Sequence, residues 1–275
     1  MRPPSPPGSP IDDPRLSTWV MAFSGYHDPI DEHAVRSWIA QFDFAHIDLA
    51  ARILDSVQFY PAADIGAQLR HSLINLPAWP LNPESADPRW RLVPFSSSPG
   101  ESGDSMLHLL RRSASLSGKA HSPLFIYRSE LLRERLRPTD NVVFVDDFAG
   151  TGEQAVDAWN GTFSELLPEP PNTYLLLAAA TERAIAKIQT STPLRVATGV
   201  RLGPSEDLFS ADCTHFTIAE KDAIISYNKR ADRKRPRGYG DCGTVVVFAH
   251  GAPNNSIPIL HSSSHRWQGL FRRTQ

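Results

Sequence analysis

Cysteine is nearly missing from this chain: Cys213 and Cys242 are the only two in 275 residues. Two thiols make neither a disulfide scaffold nor a cysteine-rich zinc site. Long hydrophobic runs are missing too, since no stretch approaches the roughly 18 apolar residues of a membrane span. The amino-terminal segment has no apolar core of the kind a secretion signal carries, so a cytoplasmic protein is expected. Neither sign of charge dominates. Lys and Arg number 28 against 30 Asp and Glu, so no global field draws the chain to nucleic acid or acidic membranes. Gly-Lys-Ser and Gly-Lys-Thr do not occur, which excludes a P-loop. The histidines and the acids Asp207 and Asp212 show no metal-ligand spacing, and no internal repeat is visible.

Apolar residues make up 41% of the chain, enough to bury a core of one large domain or one domain with a sizeable addition. Residues 1–14 contain six prolines and read as a disordered tail. Residues 15–88 read as a helical subdomain. Asp31 is placed to cap a helix, with Val35, Trp38, Ile39 and Phe42 on one face. Ile47, Ala50, Leu54 and Val57 make a second stripe, and Ile65, Leu69 and Leu73 a third. Such stripes are core rather than ligand box. Residues 89–275 read as an α/β domain. Strands are expected at Trp90–Phe95, Leu124–Tyr127, Val142–Val145, Tyr174–Leu177, Leu194–Val200 and Thr244–Phe248. Helices lie between them, at Met106–Leu110, Glu130–Leu136, Glu153–Leu166, Thr181–Ile188 and Ile218–Asn228. Alternation of this kind predicts a mainly parallel sheet.

The chemistry concentrates in Asn141–Gln154. A buried strand leads into Asp146 and Asp147, then a turn through Gly150, Thr151 and Gly152, then a helix opening at Glu153. Ligands of open α/β sheets bind at this end of a strand. Backbone amides at a helix start suit a phosphate, and paired carboxylates suit hydroxyls or a hard cation such as Mg2+. A sugar phosphate satisfies both halves. Gly150–Ala155 also fits G-x-G-x-x-A, but four residues separate it from the strand that a dinucleotide fingerprint should follow directly. A third reading is an S-adenosylmethionine-dependent methyltransferase. Asp147-Phe-Ala-Gly-Thr-Gly152 is similar to the cofactor loop of amino-methylating enzymes, with Asn75-Leu-Pro-Ala-Trp79 as a poor version of their second motif.

Val142-Val-Phe-Val-Asp146-Asp147-Phe-Ala-Gly150-Thr151-Gly152 most closely resembles the phosphoribosyltransferase signature. The resemblance implies that Asp146 and Asp147 hold the ribose of phosphoribosyl pyrophosphate, directly or through Mg2+. It implies a 5′-phosphate site at Ala149, Gly150, Thr151, Gly152, Glu153 and Gln154. Glu153-Gln154 departs from the family, which usually has a small residue and a Thr or Ser there. The departure motivates an alternative: a catalytically inactive module of the same fold that senses a nucleotide or holds a partner. About one βαβ unit earlier, Ser96–Asp104 is a Ser/Gly segment between a strand and a helix. In the family such a loop cradles pyrophosphate, which assigns Ser102, Gly103 and Asp104 to that role.

A second distinctive stretch is a strand followed by His250-Gly-Ala-Pro253-Asn254-Asn255, then Pro258-Ile-Leu and Trp267. Asn254 and Asn255 suit a base edge or a capped turn. With Trp38-x-x-Gln-Phe42, this pattern resembles the phosphoribosyltransferase-like branch of bacterial conflict systems, some members of which accompany retron reverse transcriptases in phage defence. The resemblance covers most of residues 30–273. It implies a phage-defence or toxin effector, a reverse transcriptase with its RNA and DNA product as partner, and leaves an oligomer open. Finally, Lys229–Arg237 holds six basic residues in nine. Arg233, Lys234, Arg235 and Arg237 suit a solvated loop, a basic lid over pyrophosphate, or a nucleic-acid contact.

Overall fold

In the computed structural model, residues 13–80, 84, 86–95, 102–167 and 169–272 are described. The chain begins with helices α1 (Leu16–Ala22), α2 (Glu32–Ile39) and α3 (Ile47–Ser56), then β1 (Gln58–Tyr60). Next come α4 (Ala62–Ile74), β2 (Trp90–Pro94), α5 (Ser102–Ser113), β3 (Asn141–Ala149), α6 (Glu153–Ala158) and α7 (Ser164–Leu166). There follow β4 (Asn172–Thr181), α8 (Glu182–Ser191), β5 (Arg195–Leu202) and α9 (Ile218–Ala231). The chain closes with β6 (Val246–Phe248), α10 (Pro258–His261) and the short strands β7 (Ser263–Ser264) and β8 (Trp267–Gln268). The tail expected over residues 1–14 lies outside the described residues except for Asp13 and Pro14.

Packing divides the chain into two compact units, Met1–Pro61 with Ser205–Gln275, and Ala62–Pro204. The second unit is built on a four-stranded parallel sheet in the order β2-β3-β4-β5. Its inner strands explain themselves. Val142–Val145 and Tyr174–Ala180 are buried throughout, as apolar runs covered on both faces of a parallel sheet must be. α4, α5 and α8 pack on the sheet, and α6 packs against α8. One core gathers Val93, Phe95, Phe144, Trp159, Phe163, Leu175, Leu177 and Ile188. In it Phe163 lies 4.4 Å from Phe144 and 5.0 Å from Phe95, ring to ring.

The first unit is discontinuous in sequence. Its core joins α1, α2 and α3 to α9, α10 and the terminal ribbon. Trp38 and Trp267 both donate their indole N–H to the Ile259 carbonyl, at 2.8 and 2.9 Å. Gln41 donates to the Gln268 carbonyl at 2.9 Å and accepts from its amide at 2.7 Å. The Trp-x-x-Gln-Phe pattern is therefore the tie between the early helices and β8. Asp31 caps α2 as expected, accepting from the Ala34 amide at 2.7 Å.

The mixed α/β fold with parallel strands agrees with the expectation, and three local elements differ. Leu124–Tyr127 is not a strand: Phe125 makes an isolated bridge to Leu92, between 3-10 turns at Lys119–Leu124 and Arg128–Arg133. Pro123 removes a backbone donor just where a ladder would begin. The second of those turns stands where an α-helix was expected. The strand expected at Thr244–Phe248 exists as β6, but it pairs in parallel with β1 rather than extending the larger sheet. The three residues of β1 were hidden at the end of a helical stripe.

Candidate functional site

β3 runs further than its apolar residues suggest. It stays paired with β4 through Ala149, so Asp146 and Asp147 lie on the strand itself. Successive strand residues point to opposite faces. Asp146 is accordingly buried while Asp147 is half-buried. The burial pushes the Asp146 carboxyl well above the usual carboxylate range, and the nearby Asp147 carboxylate pushes the same way. Hydrogen bonds pull against both. Ser102 donates its hydroxyl to Asp146 Oδ1 at 2.5 Å, and the Asp147 amide donates to the same oxygen at 3.0 Å.

The Ser102 contact joins two of the segments singled out in the sequence. Ser102 opens α5, and that helix packs on β2 and β3. Gly103 is buried and Asp104 half-buried in the same first turn. Residues 96–101, the rest of the Ser/Gly loop, lie outside the described residues.

After Ala149 the chain turns through Gly150, Thr151 and Gly152 into α6. Gly152 sits at φ +75°, and a Cβ there would come within 2.9 Å of the Ala184 carbonyl oxygen on α8. Glycine is required on both counts. Thr151 Oγ1 accepts from the Glu153 amide at 3.2 Å. Thr181, the cap of α8, donates to the Gly150 carbonyl at 2.6 Å and accepts from the Ala184 amide at 3.0 Å. Gln154 is exposed. Glu153 forms an ion pair with Lys187 of α8 at 3.2 Å, so the acid beside the turn is matched by a cation. Thr181 had a legible signal, a hydroxyl residue closing an apolar strand before a helix. Lys187 had none, because nothing local links α8 to the turn.

The basic run, the amide pair and His46 belong to the first unit. Asp232 accepts from the Lys234 amide at 2.8 Å, making the basic run a capped turn. Arg233, Lys234, Arg235 and Arg237 are exposed. Arg235 lies over Tyr239 and Arg237 over Phe209. Asn255 is buried and donates to the Tyr239 carbonyl at 3.1 Å and to Cys242 Sγ at 3.2 Å, while Asn254 is exposed. His46 Nδ1 shares a hydrogen bond with the Tyr227 hydroxyl at 2.8 Å. Trp79, the aromatic of the methyltransferase reading, is buried edge-on against Trp90 at 4.9 Å.

The family model PRTase-CE matches residues 35–273. The chain belongs to this phosphoribosyltransferase-like family. The match runs through both compact units and covers most of each. No curated protein matches the chain. Among the described residues no helix is long and apolar enough to cross a membrane.

Proposed function

We propose that this PRTase-CE protein binds a pyrophosphorylated ribose 5-phosphate, with phosphoribosyl pyrophosphate as the probe ligand, and transfers its ribosyl phosphate group. The Ser102–Asp146 hydrogen bond carries the reading, because it joins the segment suited to pyrophosphate with the acids suited to ribose. In this reading Asp146 and Asp147 hold the ribose hydroxyls. The amides of Ala149–Gln154 hold the 5′-phosphate, with the Glu153 charge drawn off by Lys187. Transfer passes through an oxocarbenium-like sugar, so positioning and charge stabilisation suffice and no nucleophilic side chain is required.

The two acids also fit Mg2+. No cluster of three or more metal-ligating side chains exists among the described residues. Mg2+ commonly binds through one or two carboxylates plus substrate phosphates, and it would supply charge neutralisation at the departing pyrophosphate. Asp147, the less buried acid, is the better direct ligand. Asp146 is better suited to a hydroxyl, since its burial disfavours the charged form.

Calorimetry of the full chain with phosphoribosyl pyrophosphate and Mg2+ is expected to show binding that weakens at least tenfold in the double variant Asp146→Asn, Asp147→Asn. No heat at millimolar ligand would end the reading. Binding without pyrophosphate release in the presence of candidate acceptors would instead favour a sensing or partner-binding module, which the unusual Glu153-Gln154 pair favours. The proposed role as a phage-defence effector, acting beside a reverse transcriptase, rests on the Pro-Asn-Asn and Trp-x-x-Gln-Phe patterns. It predicts that expression slows bacterial growth and that the double variant relieves the effect. Equal toxicity of the two would sever that role from the site.

A further inference from the structure

The basic run Lys229–Arg237 is joined in the fold by two segments from elsewhere in the first unit. α9 ends in Lys229 and Arg230, and Asp232 then caps the turn, accepting from the Lys234 and Arg235 amides at 2.8 and 3.3 Å. β7 and β8 pack on α9 as an antiparallel ribbon whose tip is His265 and Arg266, both exposed. Ser264 fastens the tip to the helix. Its hydroxyl donates to the Arg230 carbonyl at 2.7 Å and accepts from the Arg266 amide at 3.0 Å. Turn and ribbon share a polar cleft of about 250 Å³, with Arg235, Asn254, Ser262 and Ser263 in its lining.

Most of these cations are unmatched. Among the described residues, Arg233, Lys234, Arg235 and Arg237 pair with no carboxylate. Arg235 and Arg237 rest on the Tyr239 and Phe209 rings, which steady the guanidinium planes while the side chains stay exposed. The acids at hand are committed: Asp232 to its turn, and Asp43 to the Tyr227 hydroxyl at 2.9 Å and to Arg230 at 3.6 Å. Like charges gathered this way repel one another, and a polyanion relieves the repulsion. The Asp43–Arg230 pair also brings an aromatic to the surface. Phe44 follows Asp43 in a 3-10 turn and is 96% exposed, a whole ring left to water. Cations beside a bare ring are the complement of a phosphate backbone that carries unpaired bases. A duplex hides its base faces, and an acidic peptide would use the cations and leave the ring idle.

We propose that this surface binds single-stranded nucleic acid without regard to sequence, its cations on the phosphates and Phe44 stacked on a base. The site lies in the first unit and does not rest on the ribose-phosphate reading of β3. The test is fluorescence anisotropy of the full chain with oligothymidylate and oligouridylate of about 16 nucleotides. At least one is expected to bind. Phosphate contacts from Arg233, Lys234, Arg235, Arg237 and Arg266 predict that affinity falls about a hundredfold between ~50 and ~200 mM salt. The double charge reversal Arg233→Glu, Lys234→Glu is expected to weaken binding at least tenfold and to flatten that salt dependence. Arg266→Glu is expected to act in the same direction. Phe44→Ala is expected to weaken binding at least fivefold with the salt dependence unchanged, which neither a charge effect nor a loss of fold produces. All four positions are exposed, so melting curves should match the parent.

The protein carrying Asp146→Asn and Asp147→Asn is expected to bind the strand like the parent. Binding lost in that variant would place the strand at the β3 site and overturn the proposal. So would the absence of binding at the lower salt, or unchanged affinity in the Arg233→Glu, Lys234→Glu protein. A duplex bound as tightly as the single strand, with Phe44→Ala silent, would overturn the single-strand assignment. Polyglutamate that displaces the oligonucleotide at equal charge would assign the surface to an acidic protein instead.

Discussion

At Asp146, burial and the neighbouring Asp147 carboxylate both disfavour the anion, against two hydrogen bonds that favour it. The sign of the consequence follows from proton linkage. A carboxyl whose folded pKa lies above its unfolded value holds its proton longer in the native state. Stability therefore falls as pH rises from the ordinary carboxylate range toward the raised native value. Asp146→Asn removes that penalty and keeps an oxygen for the Ser102 hydroxyl. The variant is expected to melt higher than the parent at pH 7, by about 2–4 °C for each kcal/mol relieved. The difference should vanish toward pH 3, which thermal melts at a series of pH values would show. A variant that melts lower at neutral pH would mean that the charged acid is held more favourably than its burial implies.

At the scale of the element, α9 shows how sequence and packing divide the labour. Thr217 and Glu220 form a reciprocal capping box: Glu220 accepts from the Thr217 amide at 2.7 Å, and Thr217 Oγ1 from the Glu220 amide at 3.3 Å. That pattern is local and legible. The partner of Glu220 is not, since Arg52 reaches it at 2.6 Å from α3, far away in sequence. Arg52 and the box together lower the Glu220 pKa to about 2. A depressed folded pKa gives stability that is present above the unfolded value and lost as pH falls through the folded one. Glu220→Gln is expected to cost about 0.5–1 kcal/mol near pH 7, since the pair is partly exposed. The cost should shrink steadily between pH 5 and about pH 2, and a loss independent of pH would show packing rather than charge at work.

For the whole molecule, the two units differ in how they are strung. Ala62–Pro204 is one continuous segment with its own parallel sheet and core. Expressed alone, it is expected to fold and to melt in a single cooperative transition, read by circular dichroism and calorimetry. The unit made of Met1–Pro61 and Ser205–Gln275 closes its core from both ends of the chain. A fragment of residues 205–275 alone should therefore remain unfolded. A folded carboxy-terminal fragment, or a molten 62–204, would show that cohesion is distributed otherwise.

By itself the sequence determined what depends on neighbours along the chain. The buried strands Val142–Val145 and Tyr174–Leu177, the cap at Asp31, the paired acids and the glycine turn can all be read from short spans, because propensity, periodicity and turn chemistry act over a few residues. The extra length of β3 could not, because Asp146–Ala149 is held by its register with β4 rather than by its own composition. Tertiary structure alone decided that Ser102 meets Asp146, that Lys187 answers Glu153, and that β6 pairs with β1. It also made Trp-x-x-Gln-Phe a clamp on β8 and set Arg111 over Phe125. Each of these joins residues with no local reason to meet, brought together by burial of apolar surface elsewhere in the fold. Asp146 illustrates both levels: its place in the motif is written in the sequence, while its burial and its proton affinity come from the fold.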